Sequence, residues 1–248
     1  LFEAYGQEEG MEKLNAMLGV KGKVWPVSFD NAELCVEFAD GSQMCGEANI
    51  DSRSISDERA IKRLSIVGSP QITRIAYDAI VAADTIILGP GDLYTSVLPN
   101  LLVGGMVEAL NSSMAQIVLV CNMMNKYSET RDSNSADITR IVNSYLPPAK
   151  QLDAVIANTE RIPDAVVKKY LGEERSKQVI NVGTGCQARI RGFDLVSANA
   201  LNDRVVRHDS SKCPVGTAVG SEISECCNIR QDSDNTQRCS TDETSHLM

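Results

Sequence analysis

The chain has 248 residues, 43% of them hydrophobic and 23% charged, which suits one globular domain of ordinary size. Its formal net charge of −9 and its sequence pI near 4.8 argue against the basic surfaces that bind nucleic acid or anionic membranes. Aromatic residues make up only 4% of the chain, which disfavours stacking platforms for single strands. No apolar run reaches the length of a transmembrane helix, so membrane insertion is not expected. The acidic charge and the few aromatic residues mean that a nucleic-acid partner is not expected either.

The cysteines predict a reduced protein. Eight cysteines are scattered along the chain without a CxxC pair. Cys35, Cys45 and Cys121 lie inside apolar strand patterns, which predicts buried, reduced thiols in a cytoplasmic protein. Four cysteines follow residue 209, and their spacing matches no zinc ribbon or finger, so no metal site is predicted there.

The first part of the chain is predicted to be a helix followed by a β-hairpin. Apolar residues recur at helix spacing over residues 1–18. Apolar alternation on both sides of Asp40-Gly41 predicts a hairpin, and residues 46–50 are predicted to end its second strand. Asn49, near that strand end, is a candidate ligand contact.

From Lys62 onward, strand patterns alternate with helical stripes. The predicted strands, after a strand-like segment at 22–27, cover residues 64–67, 85–88, 116–121, 152–157, 177–182 and 188–196. The predicted helices cover residues 72–83, 98–110, 136–146 and a segment that begins at Pro163. Such alternation implies parallel strands joined by right-handed crossovers. We therefore predict an α/β fold with a three-layer, mostly parallel, doubly wound (Rossmann-like) sheet and a small antiparallel β-hairpin.

The composition changes after Asp209. Residues 210–248 contain no aromatic residue and few large apolar residues, and they are rich in Ser, Thr, Asp and Asn. This composition predicts a polar, disordered tail. The predicted organisation is therefore one α/β domain at residues 1–209 and a tail at residues 210–248.

The stretch 84–110, DTIILGPGDLYTSVLPNLLVGGMVEAL, is where the pattern predicts a binding site. A buried strand is followed by Gly89-Pro90-Gly91, a break that no helix or central strand tolerates, and then by a helical apolar stripe. Free N–H groups of such a turn and the positive end of the helix converge outside the carboxyl end of the strand, where they can hold an anion. Alternatively, the glycines form only a tight connection, with Thr95 or Ser96 capping the helix. The glycines alone leave both interpretations open.

Two stretches resemble a known family. Residues 89–102, GPGDLYTSVLPNLL, closely resemble the GPG(S/D)LYTS(I/V)LPNLL signature of the YvcK branch of the CofD/YvcK family. Residues 122–137, NMMNKYSETRDSNSAD, resemble a second family segment that begins NLMTQPGET, but Lys126 stands where Gln is usual and Tyr127-Ser128 replace Pro-Gly. The family comprises bacterial gluconeogenesis and cell-shape factors, together with the 2-phospho-L-lactate transferases of deazaflavin coenzyme biosynthesis.

The resemblance also implies that part of the family's domain is absent from this sequence. Family members begin with a glycine-rich GGGTG loop and an acidic DDGGS segment, and neither occurs here. Leu1 is not an initiator methionine, and it lies within a helical pattern. We therefore expect an N-terminally truncated fragment that lacks one wall of the ligand cleft.

The resemblance implies that both stretches border a ligand cleft and that residues 89–96 receive the diphosphate of a nucleotide. We favour a structural role for Asp137, as an acid in the first turn of a helix. His208, in an RHD segment similar to the family's, has no local partner for catalysis, so no catalytic or metal-binding residue is predicted. The candidate ligand-binding residues are Gly89, Pro90, Gly91, Asp92, Leu93, Tyr94, Thr95, Ser96, Asn100, Asn122, Glu129, Thr130 and Asn158.

The function implied by the resemblance is binding of a nucleotide diphosphate sugar, a UDP-sugar, by a cytoplasmic regulator of gluconeogenesis and cell shape, with no cofactor assigned. The alternative is a 2-phospho-L-lactate transferase, which would use Mg²⁺. The loop favours the binder, because the transferases carry a GPSNP-type sequence where this chain has Gly91-Asp92-Leu93-Tyr94. A nucleotide sugar is thus the expected partner, and a homo-oligomer is left open.

Overall fold

The computed structural model describes these parts of the chain: residues 5–19, 22–54, 56–158, 176–179 and 189–193. Only the backbone is described at residue 158 and in the last two ranges. The tail predicted at 210–248, the helix predicted from Pro163, and His208 lie outside the described residues. Within the described residues, no helix combines the length and the apolar character needed to cross a bilayer.

Helix α1, Gln7–Leu18, confirms the helix predicted in the first part of the chain. It ends where Gly19 adopts the left-handed conformation, at φ 57°. The strand-like segment 22–27, in contrast, is not a strand. Instead, the Asn15 side chain of α1 forms two hydrogen bonds with the backbone of Val24, 2.9 and 3.0 Å long. These bonds satisfy backbone groups that a neighbouring strand would otherwise pair.

A three-stranded antiparallel sheet follows, with β1 between its two neighbours. Its strands are β1 at Glu33–Phe38, β2 at Gln43–Cys45 and β3 at Ile61–Val67. The predicted hairpin is confirmed as β1 and β2. The strand predicted at 64–67 is part of β3. Its predicted place in the parallel sheet is wrong, because β3 pairs antiparallel with β1. Hydrophobic periodicity identifies a strand but reveals neither its partner nor its direction.

The connection from β2 to β3 begins with helix α2, Glu47–Asp51, where a strand end was predicted. Gly46 turns the chain at φ 93°, a conformation that glycine adopts readily, and the helix begins directly after it. Asn49 is exposed on α2, and its side chain donates to the Cys45 carbonyl at 2.8 Å. Its amide therefore closes the turn between β2 and α2, and a ligand contact at Asn49 stays a prediction.

Cys35 and Cys45 lie opposite each other across the β1–β2 pair and form a disulfide, with their Cα atoms 4.1 Å apart. The prediction of reduced thiols is therefore wrong at these two positions. The apolar pattern placed both cysteines in strands, but only the pairing register brings them together. Cys121 is a buried thiol, as predicted.

The second sheet is parallel and confirms the predicted α/β class. The remaining strands are, in chain order, β4 at Thr85–Leu88, β5 at Gln116–Val120, β6 at Met124–Lys126, β7 at Ala154–Asn158, β8 at Ser176–Val179 and β9 at Arg189–Phe193. The parallel sheet has the order β4-β5-β7-β9, and β6 and β8 form a separate antiparallel pair. The strand predicted at 177–182 is thus β8, but its place in the parallel sheet is wrong. Strand β6 was not predicted, because three residues in a polar loop give no periodic signal.

The helices of this part confirm the predicted stripes with one difference. They are α3 at Arg74–Ala82, α4 at Leu98–Leu101, α5 at Met106–Ser112 and α6 at Ser135–Tyr145. The single helix predicted at 98–110 is divided, because Gly105, at φ 86°, separates α4 from α5. Side chains from both sheets and from these helices share one core, among them Phe38, Leu64, Leu98 and Val155.

Candidate functional site

Two loops meet beyond the carboxyl ends of the adjacent parallel strands β4 and β5. Loop 89–96 follows β4, and loop 122–130 follows β5. At the start of the first loop, Gly89 has φ 77° and its peptide bond with Pro90 is cis. A Cβ atom at Gly89 would lie 2.9 Å from the Val120 carbonyl oxygen, so only glycine fits this close approach to β5. The Gly-Pro-Gly turn thereby brings the first loop against the second.

The backbone of Gly91 and the side chain of Asn122 join the two loops. The Gly91 N–H donates to Asn122 Oδ1 at 3.1 Å, and Asn122 Nδ2 donates to the Gly91 carbonyl at 2.8 Å. The side-chain amide thus continues the β4–β5 pairing in place of a further backbone pair. The expectation of a free N–H at Gly91 is wrong, because that group is bonded within the protein.

The start of the helix after the Gly-Pro-Gly turn faces a carboxylate of the protein itself. The Tyr94 N–H donates to Glu129 Oε2 at 2.6 Å, and Thr95 Oγ1 donates to Glu129 Oε1 at 2.8 Å. The Glu129 side chain is 0% exposed, so its charge depends on these donors and on the positive end of the helix. A negative group does lie at this helix start, but it is Glu129, and the Tyr94 N–H is not free for a ligand.

The alternative role of Thr95 and Ser96 as side-chain caps of this helix is also wrong. The helical turn begins after Asp92, whose side chain makes no capping hydrogen bond. The Asp92 carbonyl accepts from the N–H groups of both Ser96 and Val97, at 2.9 and 3.0 Å. This arrangement makes the first turn, Leu93–Val97, a π-helical turn and leaves the Ser96 residue exposed.

Three carboxylates lie together beside the loops: Asp51, Asp92 and Glu129 each place one oxygen within 4.8 Å of the others. Asp51 comes from the end of α2, so this carboxylate cluster joins the antiparallel sheet to both loops. The Lys126 ammonium bonds to Asp51 and Asp92, and its Nζ lies 3.6 Å from Glu129 Oε1. Burial and the Glu129 carboxylate raise the pKa of Asp92. Such acids suit a hard divalent cation, but the cation among them here is an ammonium.

Arg53 forms a second link between loop 122–130 and the antiparallel sheet. Its side chain is 3% exposed, donates to the Ser128 carbonyl at 2.7 Å and pairs with Asp57 at 3.1 Å. Arg59 pairs with the same Asp57 carboxylate at 2.7 Å. The Arg59 and Arg53 guanidinium groups hold the pKa of Asp57 well below its ordinary value. Sequence reasoning missed these residues, because an Arg and an Asp four positions apart give no signal of burial.

The predicted ligand contacts form three groups by exposure. The exposed group, here called the outer face, is Pro90, Ser96 and Asn100. The half-buried group is Gly89, Gly91, Asp92 and Asn122. The buried group is Leu93, Tyr94, Thr95, Glu129 and Thr130. Asn158 ends β7, which neighbours β5, and its side chain lies outside the described residues. Contact of any of them with a ligand stays a prediction.

A small cavity lies behind the joined loops, within the part of the chain that the structure describes. A cavity of about 20 Å³ is lined by residues that include Gly91, Asn122 and Thr130. This volume holds about one water molecule, so this cavity itself is too small for a nucleotide. On the outer face, the side chains of Ser96 and Asn100 lie one turn apart, and Asn100 Nδ2 donates to the Ser96 carbonyl at 2.7 Å. Both residues are exposed, and contact of a ligand with the outer face stays a prediction.

Asp137 has the structural role that the sequence favours. It forms a reciprocal pair with Asn134 at the start of α6, with hydrogen bonds of 3.0 and 3.1 Å. This capping box satisfies backbone N–H groups that the helix itself leaves without acceptors. We therefore assign Asp137 to helix capping.

Comparison with known proteins identifies the family. The family model described as 2-phospho-L-lactate transferase CofD matches residues 3–201. A Lactococcus lactis protein named "Putative gluconeogenesis factor" is 33% identical over 214 residues, which cover 86% of this chain and 63% of the relative. Relatives of the same name from Clostridium acetobutylicum and Thermotoga maritima are each 32% identical over 83% and 82% of this chain.

Solved structures agree with the sequence relatives. A crystal structure of a UPF0052 family protein from Bacillus halodurans matches with a TM-score of 0.73 and 32% identity, over 82% of this chain and 64% of that one. The chain spans 45% of the length of the Clostridium acetobutylicum relative and 64% of that from Thermotoga maritima. The resemblance carried by residues 89–102 and 122–137 is thereby confirmed. The chain belongs to the CofD family, where it matches the members that carry the gluconeogenesis-factor name.

Proposed function

We propose that this chain contributes the ligand-binding edge of a gluconeogenesis factor, and that its ligand is a nucleotide diphosphate sugar, a UDP-sugar, bound without conversion. The relatives of that name, which match more than four-fifths of the chain, support the first part. The position of loop 89–96 beyond the carboxyl ends of parallel strands supports the second, because α/β folds bind nucleotides there. We also propose that the protein takes part in the regulation of cell shape and is located in the cytoplasm.

The observation that carries the proposal is the fixed position of loop 89–96. Two hydrogen bonds to Asn122 and two to Glu129 hold it on loop 122–130. A loop that is fixed before the ligand arrives loses little conformational entropy on binding. The outer face then presents the Ser96 hydroxyl and the Asn100 amide, which can hydrogen-bond to phosphate or sugar oxygens.

The charge near the outer face indicates how the nucleotide would bind. Three carboxylates and one ammonium leave the cluster with a formal charge of −2, and Asp92 lies about one helical turn before Ser96. A bare diphosphate would be repelled, whereas a diphosphate bound to Mg²⁺ carries less negative charge. We therefore expect the nucleotide to bind as its Mg²⁺ complex.

Thermal shift measurements with UDP-N-acetylglucosamine, UDP and GDP, each with and without Mg²⁺, test the proposal. Because the relatives extend beyond the matched region, both the 248-residue chain and the longest protein that the gene encodes are measured. We expect the largest stabilisation from the UDP-sugar with Mg²⁺. Loss of one hydrogen bond in Ser96→Ala or Asn100→Ala should weaken binding about three- to tenfold. The matched controls Ser144→Ala and Asn111→Ala, at exposed positions elsewhere, should leave it unchanged.

The transferase is the second candidate, because the matching family model is described as a 2-phospho-L-lactate transferase. That enzyme would bind GDP with Mg²⁺ and act on a deazaflavin alcohol. Stabilisation by GDP but not by the UDP-sugar would replace our proposal with this one. Stabilisation by no nucleotide in either protein would end both.

A further inference from the structure

The carboxylate cluster contains a cation from the protein's own chain, the Lys126 ammonium. The ligand binding proposed at the outer face does not involve this ammonium. Asp51, Asp92 and Glu129 come from three different segments, namely α2, loop 89–96 and loop 122–130. Three carboxylates within 4.8 Å repel one another unless a cation or a proton lies among them. The Lys126 ammonium contacts all three, so the protein supplies this cation from its own chain.

We propose that the Lys126 ammonium is the permanent cation of the carboxylate cluster, where it takes the place of a divalent metal ion and makes the junction of the three segments independent of metal. The ammonium donates hydrogen bonds to Asp51 and Asp92, and its Nζ lies 3.6 Å from Glu129 Oε1 as an ion pair. Lys126 is therefore a positioning residue for these acids. This role does not depend on whether the outer face binds a nucleotide.

Burial keeps the acid that faces Lys126 from turning away. The Lys126 side chain is 15% exposed and that of Glu129 is 0% exposed. Glu129 is also bound to the Tyr94 N–H and the Thr95 hydroxyl, which fixes its orientation. Without the ammonium, Glu129 would stay in place as a buried charge beside two further acids, which is strongly unfavourable.

A neutral side chain at position 126 should therefore turn the cluster into a divalent-cation site. Carboxylate oxygens are preferred ligands of Mg²⁺, Mn²⁺ and Ca²⁺. Asp51 and Asp92 are 31% and 39% exposed, so a hydrated ion can reach them. In the unchanged protein, an entering ion must displace an ammonium that cannot diffuse away, because it is tethered three residues before Glu129. A tethered cation competes at high effective concentration, which keeps metal out.

The test uses Mn²⁺ alone as the probe and measures bound ion by electron paramagnetic resonance. The proteins are the unchanged 248-residue chain, Lys126→Met, the double variant Lys126→Met/Asp92→Asn, and Lys62→Met as matched control. Lys62 pairs with Glu37 on the surface and is 62% exposed. We expect Lys126→Met to bind Mn²⁺ at least about tenfold more tightly than the unchanged chain, the double variant to lose this gain, and Lys62→Met to behave like the unchanged chain.

Each other outcome counts against the proposal. A folded Lys126→Met variant that gains no Mn²⁺ affinity overturns it. A Lys126→Met variant that folds neither with nor without Mn²⁺ also overturns it, because the metal is expected to replace the ammonium. A second measurement does not need the Lys126→Met variant. It records amide NMR spectra of the unchanged chain with added Mn²⁺. Broadening of the Tyr94 and Glu129 resonances by Mn²⁺, abolished by Asp92→Asn, would show that metal enters the cluster despite Lys126.

Discussion

Loop 122–130 is held on two sides by different interactions. Toward the parallel sheet, Asn122 and Glu129 bind donors and acceptors of loop 89–96 at 2.6 to 3.1 Å. Toward the antiparallel sheet, Lys126 pairs with Asp51, and Arg53 donates to the Ser128 carbonyl. On the parallel side, Asn122 is positioned directly by the adjacent strands and carries no charge, and Glu129 is charged. The antiparallel side depends on long charged side chains alone. Ionic strength and acid should therefore weaken the antiparallel side more than the uncharged Asn122 contact of the parallel side.

The two sides fix the loop in different ways. Strands β4 and β5 are neighbours in one sheet, so the loops that follow them are close by geometry. The antiparallel sheet is attached to the same loop through side chains that come from residues 51–59, far away in the sequence. Weakening one attachment should leave the other intact, and single substitutions can show whether it does.

The largest effect is expected for Glu129→Gln, because Glu129 belongs to both sides. It accepts from Tyr94 and Thr95 and lies beside the Lys126 ammonium. The amide places a donor against existing donors and removes the charge that opposes Lys126. We expect a loss of about 3–5 kcal/mol in the free energy of unfolding, measured by urea denaturation. Glu108→Gln, at an exposed position of α5, is the matched control. A loss below about 1 kcal/mol would show that Glu129 does not join the two sides.

The next effect concerns the disulfide of the antiparallel sheet. Cys35 and Cys45 are 10 residues apart, and a loop of this length is expected to stabilise the fold by about 2–3 kcal/mol. The double variant Cys35→Ser/Cys45→Ser should lose this amount in urea denaturation. Hydrogen exchange should accelerate in residues 33–45 but not in β5. Dithiothreitol should destabilise the unchanged chain and leave the variant as it is. Equal acceleration in both sheets would contradict separate attachments.

Acid should act on the antiparallel side through Asp57. Its pKa is lowered by Arg59 and Arg53 from the ordinary value of 3.8, and its side chain is 16% exposed. A lowered pKa in the folded protein means that the ionised carboxylate contributes stability above about pH 4, which is lost as the pH falls below that value. Asp57→Asn should cost about 2 kcal/mol at pH 7 and should flatten the decline of stability below pH 4.

The control for this pH dependence is Asp78→Asn. Asp78 pairs with Arg74 on an exposed helix face and is 54% exposed, so its loss should change stability by only a few tenths of a kcal/mol. Urea denaturation at several pH values between 2.5 and 7 measures both variants. An Asp57→Asn variant with the same acid sensitivity as the unchanged chain would mean that other carboxylates govern this attachment.

Local patterns were enough to predict much of the fold. The apolar runs of β4, β5 and β7 and the stripe of α6 are each complete within one stretch of sequence. The partners of β3 and β8 were not predictable in this way, because pairing is decided by residues far along the chain. The same limit applies to the Cys35–Cys45 disulfide, which depends on the register between β1 and β2.

The candidate site was predictable as a place but not as a set of contacts. The motif brought loop 89–96 together with Asn122, Glu129 and Thr130 at one edge of the sheet. Spacing could not show that Asn122 and Glu129 bind the loop itself, since a residue's partner is not encoded in its own neighbourhood. Lys126 was noticed only as a departure from the family pattern, and Asp51, 75 residues before it, not at all.

The smallest effect is expected for Asn122→Ala. The variant removes two hydrogen bonds with the Gly91 backbone at a half-buried position, which should cost about 1–2 kcal/mol in urea denaturation. Because this contact involves no charge, the cost should be the same at pH 2.5 and pH 7 and at low and high salt, unlike that of Asp57→Asn. Asn111→Ala, at an exposed position of α5, should cost much less. A salt-dependent cost for Asn122→Ala would mean that the Asn122 contact also depends on the charged cluster, and the distinction between the two attachments would then fail.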